Sequence, residues 1–571
     1  MGAVKSKAGE VLEEVIRRLR YSVPVKGVKA LGEGRAVVVV DRRFLRDAVL
    51  AFFKAFDGRE PQLSSMVGID ESGRLGGDVY SITYWLSLND GGSSDVLLGI
   101  RAYVRGDDPT FPSVADVIYG SNWYEREVRD LLGLKPVGHP DPRRLILPDD
   151  WPEGVYPLRK DFPYYESPST EPKYEFKVVR DANVVPFGPY HVALDEPAHF
   201  RLYVRGEEIV EVDYRGFYSH RGIEKIAESR LTYNQVPFIA ERICGICGFT
   251  HSTAYCQAVE AAAGIEVPER AEFIRTILLE IERIHSHLLW VGVACHLLGF
   301  DLGFMHVWRV REHVMWLAER LTGNRKTYGM NLIGGVRRDL LKYRVEAILK
   351  TVERVRREFK ELVDMLTNTR SFVRRCEGVG VLTNALARKW CVVGPVARAS
   401  GRKIDVRADH PYAAYGRLSF KVPVRSEGDV LARALVRIEE VFESLNIIEE
   451  ALDTIPGGEI MADVRDLPEY SEGVGCTEAP RGENVHYVMT GPGNRVYRWR
   501  ARASTYNNLP AARDMLVGYE VADAPLIVAS IDPCYSCTER VIIVDVRRGS
   551  AKVLSRGEFE RLSIRKSRRC A

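Results

Sequence analysis

The sequence has no long hydrophobic run, no excess of charge of one sign and no high density of cysteine. No apolar run reaches the about 18 residues of a membrane-spanning helix, so we do not expect one. Lys and Arg number 81 against 78 Asp and Glu, a net charge of +3. A nucleic-acid-binding protein would have a concentrated basic surface, and this near balance of charges argues against one. Without an apolar signal region at the N-terminus, we predict a cytoplasmic protein with no nucleic-acid partner.

What the chain does have is an ordinary globular composition. Of its 571 residues, 46% are hydrophobic and 28% are charged. These fractions exclude disordered and fibrous classes. At roughly 150 residues per domain, the length predicts about three to four domains.

Residues 1–163 have the pattern of a small α+β domain. Helical spacing alternates with strand-like runs, and two further runs resemble paired strands. The predicted helices are Ala8–Arg20, Arg43–Phe56 and Asn122–Leu132, and the predicted strands are Ala36–Val40, Asp78–Leu88 and Asp95–Val104. Residues 164–183 carry turn formers and charge without periodicity, which is typical of a linker.

The second unit begins with alternating residues over Tyr190–Arg215, which predict a small sheet. From Glu224 to Ala451 the periodicity is helical and predicts a bundle. Its helices are expected at Pro268–Leu298, Val310–Leu321, Val336–Leu366 and Asp429–Thr454. The predicted fold class is therefore α+β: a small α+β domain, then a mostly helical bundle domain with a small sheet that holds a metal site.

Cysteine usage points to that metal site. Four of the ten cysteines form two C-x-x-C pairs, Cys244/Cys247 and Cys534/Cys537. Two such pairs usually bind metal, and together they supply four thiolates. A structural zinc, an iron–sulfur cluster or two unrelated redox pairs would all satisfy this count. The other six, including Cys570 near the C-terminus, are scattered singly. Five of them are most simply buried apolar residues: Cys256, Cys295, Cys376, Cys391 and Cys476.

Two Glu-x-x-His segments, Glu282-Arg-Ile-His285 and Glu483-Asn-Val-His486, have the spacing of a carboxylate di-iron site on a helix. Pro480 and Gly482 make a poor helix around the second segment, and two further inward glutamates are not evident. A structural role is therefore favoured for these residues.

The segments around the cysteine pairs resemble a known family. Glu241–His251 (ERICGICGFTH) and Asp532–Arg540 (DPCYSCTER) are similar to the R-x-C-G-x-C-x-x-x-H and D-P-C-x-x-C signatures of nickel–iron hydrogenase large subunits. Tyr218–Lys225 resembles the family's R-G-x-E segment, and Glu478–Glu483 its P-R-G segment. The resemblance extends over about 184–571.

This resemblance implies roles for individual residues. Cys244 and Cys534 would be terminal nickel ligands, and Cys247 and Cys537 would bridge nickel to an iron that carries carbon monoxide and cyanide. Arg481 would be a permanent cation beside the metals.

Two glutamates also receive roles by resemblance. Glu196 aligns with the family's proton-relay glutamate, and Glu224 with a glutamate that binds magnesium in many members. The chain departs from the family at Arg540, where a histidine is usual, and this departure argues against a bound magnesium.

The first unit resembles a second family. Trp123–Gly133, Gly138–Arg144 and Tyr156–Pro163 are similar to the 30-kilodalton subunit of respiratory complex I. Such a domain fused to a hydrogenase large subunit is the arrangement of formate hydrogenlyase, a membrane-associated group 4 hydrogenase. The resemblance implies that 1–163 is a docking domain and 184–540 the catalytic domain.

The same resemblance implies partners. With no iron–sulfur cluster in this chain, electrons would come from a separate iron–sulfur subunit, and antiporter-like subunits would hold the complex on the inner face of the cell membrane. The extension 541–571 carries nine Lys or Arg against three acidic residues. We expect a maturation protease to remove it after Arg540. The alternatives are a complex I-like scaffold subunit without hydrogenase activity and a zinc-stabilised assembly protein.

Overall fold

The computed structural model describes residues 7–535 with short gaps, and beyond them only the backbone of 543–545 and 550–552. The gaps are 90, 92–94, 150, 164–167, 169–178, 189–190, 192–193, 195, 218–219 and 465–466. Most of the predicted linker and of the C-terminal extension therefore lies outside the described residues, as does Cys537.

The N-terminal unit is a five-stranded sheet with helices packed on it. The strand order is β1-β2-β5-β4-β3, antiparallel except between β2 and β5. Its strands are β1 (Val25–Gly32), β2 (Arg35–Val40), β3 (Pro61–Asp70), β4 (Val79–Leu88) and β5 (Val96–Arg105), and β6 (Thr110–Pro112) pairs with β7 (Lys135–Val137). Its helices are α1 (Lys7–Ser22), α2 (Leu45–Ala55), α3 (Ser72–Leu75) and α4 (Asn122–Leu132).

The second unit holds two three-stranded sheets and most of the helices. One sheet contains β8 (Asn183–Phe187), β9 (His199–Arg205) and β10 (Glu208–Arg215). The other contains β13 (Glu472–Ala479), β14 (Gly482–Thr490) and β15 (Val496–Arg502). Short pairs are formed by β11 (Asn331–Leu332) with β12 (Gly335–Val336), and by β16 (Ile543–Asp545) with β17 (Ser550–Lys552).

The long helices of this unit form the predicted bundle. They are α7 (Gly248–Ala263), α8 (Glu269–Leu297), α9 (Asp301–Thr322), α10 (Lys342–Thr367) and α15 (Val430–Thr454). The shorter helices are α5 (Ile223–Arg230), α6 (Val236–Ala240), α11 (Arg370–Cys376), α12 (Asn384–Lys389), α13 (Gly394–Ala399), α14 (Val406–Asp409), α16 (Ser504–Asn508), α17 (Ala512–Leu516) and α18 (Ala524–Ile531). No helix in the described ranges is long and apolar enough to cross a bilayer.

Helix α8 is the centre of the bundle and is buried on nearly every side. Several of its buried charged side chains are ion-paired, because an unpaired buried charge is costly. Arg275 binds Glu260 through both nitrogens, at 2.7 and 3.0 Å. Glu280 accepts hydrogen bonds from Arg283 and Arg407. The pairs with Glu260 and Arg407 connect α8 to α7 and α14.

The apolar core continues across the predicted boundary between the two units. Tyr124 of α4 packs against Tyr506 of α16, with ring centroids 4.8 Å apart. Arg101 of β5 binds Glu472 of β13 through two hydrogen bonds of 2.6 and 3.1 Å, and both side chains are buried. The N-terminal unit has its own sheet, as predicted, and it also supports the strands of the second unit directly.

Candidate metal centre

Three of the four predicted ligands lie together in the core. Cys244 follows α6, Cys247 immediately precedes α7 and Cys534 follows α18. All three are buried, and together with Ala479 they form one cluster. The Sγ atoms of Cys244 and Cys534 are 3.0 Å apart although the residues are 290 positions apart in sequence. The fold therefore brings the two C-x-x-C segments to one place.

The loop between Cys244 and Cys247 is shaped to stabilise a negatively charged sulfur. The backbone N–H groups of Ile246 and Cys247 both donate to the Sγ of Cys244, at 3.3 Å each. Hydrogen bonds to the charged form of a group favour that form. This loop thus supports Cys244 as a thiolate, the form that binds metal.

The first turn of α7 is held by a buried carboxylate from α8. Glu282 accepts hydrogen bonds from the backbone N–H groups of Phe249 and Thr250, at 2.8 and 2.9 Å, which caps the helix just after Cys247. Burial raises the pKa of Glu282 to about 7, although these hydrogen bonds lower it. The cap fixes the position of Cys247 relative to the bundle.

Arg481 lies in the turn between β13 and β14 and is bound to the segment that carries Cys534. Its Nε donates to the carbonyl of Asp532 and its Nη2 to the Asp532 carboxylate, both at 2.7 Å. Its Nη1 donates to the hydroxyl of Ser286, at 3.1 Å. Burial alone lowers the pKa of Arg481, but Asp532 and the three cysteines raise it well above its ordinary value. Arg481 is therefore a fixed cation beside the sulfur cluster.

The turn that presents Arg481 requires glycine. Gly482 has a φ of +121°, and a Cβ at this position would lie 2.5 Å from the backbone nitrogen of Gly394. An alanine there would be strained and would also clash with backbone.

His251, the last residue of the first signature, is buried on α7 one turn after Cys247. Its Nδ1 lies 3.0 Å from Nε2 of His486, and Nδ1 of His486 lies 3.2 Å from the indole nitrogen of Trp499. His486 is thus part of a chain of rings that leads to the cysteine loop. Among the described residues it has no part in a di-iron cluster.

Glu196 lies in the loop between β8 and β9. Leu194, two residues earlier, lines a cavity of about 20 Å³ together with Asp532, Pro533 and Tyr535. A volume of this size holds about one water molecule. Glu196 itself is half-buried. The role of Glu196 as a proton relay stays a prediction.

Comparison with known proteins identifies the family. The model of the respiratory-chain NADH dehydrogenase 49 Kd subunit matches residues 298–472 and 466–540, that of the 30 Kd subunit matches 38–168, and that of nickel-dependent hydrogenase matches 221–308. Formate hydrogenlyase subunit 5 of Escherichia coli is 51% identical over 88% of this chain and 89% of its own. Hydrogenase-4 component G of the same organism is 47% identical over 94% and 93%.

This chain belongs to the family of nickel-dependent hydrogenase catalytic subunits. A solved structure supports the fold: a chain of the archaeal membrane-bound sulfane sulfur reductase has a TM-score of 0.60 and 33% identity, covering 64% of this chain and 100% of its own. The predicted family, α+β fold class and hydrogenase function are thereby confirmed. The chain acts within a membrane-associated complex of several subunits.

The residues of this hydrogenase fit a nickel–iron centre. Such a centre needs converging soft ligands, and the three described cysteines supply them in a buried site with a permanent cation nearby. No group of three or more His, Cys, Asp or Glu in the described part of the chain forms a complete metal site by itself. The fourth predicted ligand, Cys537, lies outside that part.

The surroundings of Glu224 do not fit magnesium. One carboxylate oxygen accepts from Arg498 at 2.7 Å, and the other accepts from Arg500 at 3.1 Å. Burial raises the pKa of Glu224, but these two arginines lower it to about 2. Glu127 and Glu228 also bind these arginines, and Lys160 binds Glu228.

These contacts neutralise Glu224 without a metal. Three carboxylates face three cations, so a divalent ion would leave an excess of two positive charges in a buried place, which is unfavourable. The structure favours an ion-pair role for Glu224 over metal binding, and the side chain of Arg540 lies outside the described residues.

Sequence reasoning missed two supporting residues. Asp532 could have been recognised, because it lies within the second signature and a buried arginine needs an anionic partner. Glu282 was noted only as part of a Glu-x-x-His segment. Its role as the cap of α7 gave no local signal, since its partners on α7 are more than thirty positions away.

Proposed function

We propose that this chain binds a nickel–iron centre through Cys244, Cys247, Cys534 and Cys537, with carbon monoxide and cyanide on the iron, and there interconverts H₂ with protons and electrons. The observation that carries the proposal is the convergence of Cys244 and Cys534 from distant segments into one buried sulfur cluster. When bound, the centre supplies the redox chemistry of this reaction.

The chain's own residues would position charges and protons around this centre. Arg481 holds a fixed guanidinium beside the sulfur atoms, because Asp532 and Ser286 bind three of its nitrogens. Its planar fork can orient small ligands in a way that lysine cannot. We assign to Glu196 the transfer of protons between the buried site and solvent, since a buried reaction that consumes protons needs such a group.

Metal analysis of the anaerobically purified complex tests the function. We expect about one nickel and one iron per chain and no zinc, and no magnesium bound at Glu224. Infrared spectra should contain bands of metal-bound carbon monoxide and cyanide. Zinc in place of nickel, or an active complex without these bands, would refute the metal assignment.

Membership of this family also suggests which subunits this chain binds. We propose that an iron–sulfur subunit exchanges electrons with this chain, which would itself carry no iron–sulfur cluster because its remaining six cysteines are scattered singly. We also propose that residues 1–163 dock the catalytic domain 184–540 onto antiporter-like membrane subunits, on the inner face of the cell membrane.

We propose in addition that a maturation protease removes the extension 541–571 after Arg540. The extension is strongly basic, and its loss would change the net charge from 81 − 78 = +3 to 72 − 75 = −3. Intact-mass measurement of the active enzyme should give a C-terminus at Arg540. A mature C-terminus at Ala571 in a fully nickel-loaded chain would contradict cleavage and leave the metal assignment unaffected.

A further inference from the structure

Three buried rings form a hydrogen-bonded chain that ends next to the cysteine loop. The indole nitrogen of Trp499 lies 3.2 Å from Nδ1 of His486, and Nε2 of His486 lies 3.0 Å from Nδ1 of His251. All three side chains are at most 1% exposed. Trp499 and His486 lie on neighbouring strands β15 and β14, so the sheet fixes their mutual position.

The chemistry of the rings fixes the direction of each hydrogen bond. An indole nitrogen only donates, so Nδ1 of His486 accepts and carries no proton. A neutral His486 then carries its proton on Nε2 and donates to Nδ1 of His251. Because Nδ1 of His251 accepts, the proton of a neutral His251 lies on Nε2. Burial lowers the pKa of His486 well below its ordinary value, which keeps this ring neutral.

His251 is close to the predicted ligands. It lies on the first turn of α7, and its backbone N–H donates to the carbonyl of Cys247, at 3.4 Å. The ring of His251 is buried, at 1% exposure, and the sulfur atoms of Cys244 and Cys247 belong to the cluster that this loop carries. A proton held on Nε2 of His251 is therefore a hydrogen-bond donor in the surroundings of the sulfur cluster.

We propose that Trp499, acting through His486, is a positioning residue that holds His251 with its proton on Nε2 and so tunes the sulfur ligands of the nickel–iron centre. Hydrogen bonds near metal-bound sulfur alter the electron density and the potential of the metal, and the outer partner of a histidine sets its protonated nitrogen. This inference rests on the proposed function.

The first test replaces Trp499 by phenylalanine in the intact complex. The ring stays, but the donor to His486 is lost, so His486 can turn its proton to Nδ1 and His251 loses its fixed form. We expect native nickel and iron content, a shift of the carbon monoxide and cyanide bands, and about a 10-fold loss of hydrogen turnover. Trp85→Phe is the matched control, since Trp85 is fully buried and its indole nitrogen has no acceptor among the described residues.

If Trp499→Phe fails to load metal, two variants of His486 test the proposal instead. His486→Gln keeps an amide donor towards Nδ1 of His251, whereas His486→Leu removes it. Native band positions in His486→Gln with shifted bands in His486→Leu would support the proposal. Equal spectra of these two variants, or native bands in Trp499→Phe, would overturn it. A native complex without such bands would instead refute the proposed function.

Discussion

Replacing Cys534 by alanine is expected to empty the metal site and abolish hydrogen turnover. The sulfur of Cys534 lies 3.0 Å from that of Cys244 in a buried cluster, and its removal leaves Cys244 and Cys247 as the only cysteines of that cluster among the described residues. Loss of a mere supporting partner lowers metal affinity or activity by about 10- to 100-fold. Loss of a ligand should therefore lower nickel content by more than about 100-fold, as measured by metal analysis of the purified chain.

Cys295→Ala provides the matched control for this experiment. Cys295 is equally buried, but it packs in the helical bundle on α8, in a different apolar cluster from the three predicted ligands. We expect this variant to keep its nickel. If Cys534→Ala and Cys295→Ala held the same amount of nickel, the ligand assignment would be wrong.

The second large effect is expected at the contact between the two units, in Glu472→Gln. Its carboxylate accepts from Arg101, Lys29 and the hydroxyl of Tyr487. Removing the charge leaves Arg101 buried without an anionic partner, although its Nε still donates to the hydroxyl of Thr83, and breaking such a buried pair typically costs about 3–5 kcal/mol. Hydrogen–deuterium exchange of the β13 and β5 amides should then be at least about 100-fold faster than in the native chain.

The stabilisation that this contact provides is expected to decrease at acidic pH. Burial raises the pKa of Glu472, but Arg101 and Lys29 lower it to about 2, below its ordinary 4.5. The folded state therefore favours the charged carboxylate. Its stabilisation is complete above pH 4.5 and is lost as the pH falls towards 2. Glu472→Gln should remove this part of the acid sensitivity.

Glu312→Gln is the control for the charge change. Glu312 pairs with Arg325, and both side chains are about half exposed, at 52% and 49%. Such a pair contributes at most about 1 kcal/mol. Exchange in β13 should be native in this variant, and a native exchange rate in Glu472→Gln as well would contradict the importance of the buried contact.

The sequence predicted the elements whose periodicity is strong. Helix α4 has the predicted bounds Asn122–Leu132, and α8 differs from its prediction by one residue at each end. Strand β3 was missed because it is buried on both faces with Gln62, Ser64 and Ser65 inside, so hydrophobic and polar residues do not alternate. Strands β13 and β14, also missed, are buried throughout and carry many polar residues that are paired in the folded chain.

The residues of the candidate site also fall into two groups, those within local sequence motifs and those that only the fold brings together. The cysteines and Arg481 lie in short local signatures, so the sequence alone made them candidates. The partners that hold them are brought near only by the fold: Asp532 is 51 positions from Arg481, and His486 is 235 positions from His251. No local pattern encodes such distances, and the ion pairs of Glu224 with Arg498 and Arg500 were hidden for the same reason.

Cys244 and Cys534 are 290 positions apart in sequence, so a metal bound to both would also change the entropy of the unfolded chain. An ion bound to both sulfurs would close this long segment into a loop, as a covalent cross-link does. By the loop-entropy relation for cross-links, closing a loop of this size lowers the conformational entropy of the unfolded chain. The loss destabilises the unfolded state by roughly 5–6 kcal/mol. A loaded chain should therefore unfold less readily than an empty one. The reactive centre would then also cross-link the start of α7 to the end of α18.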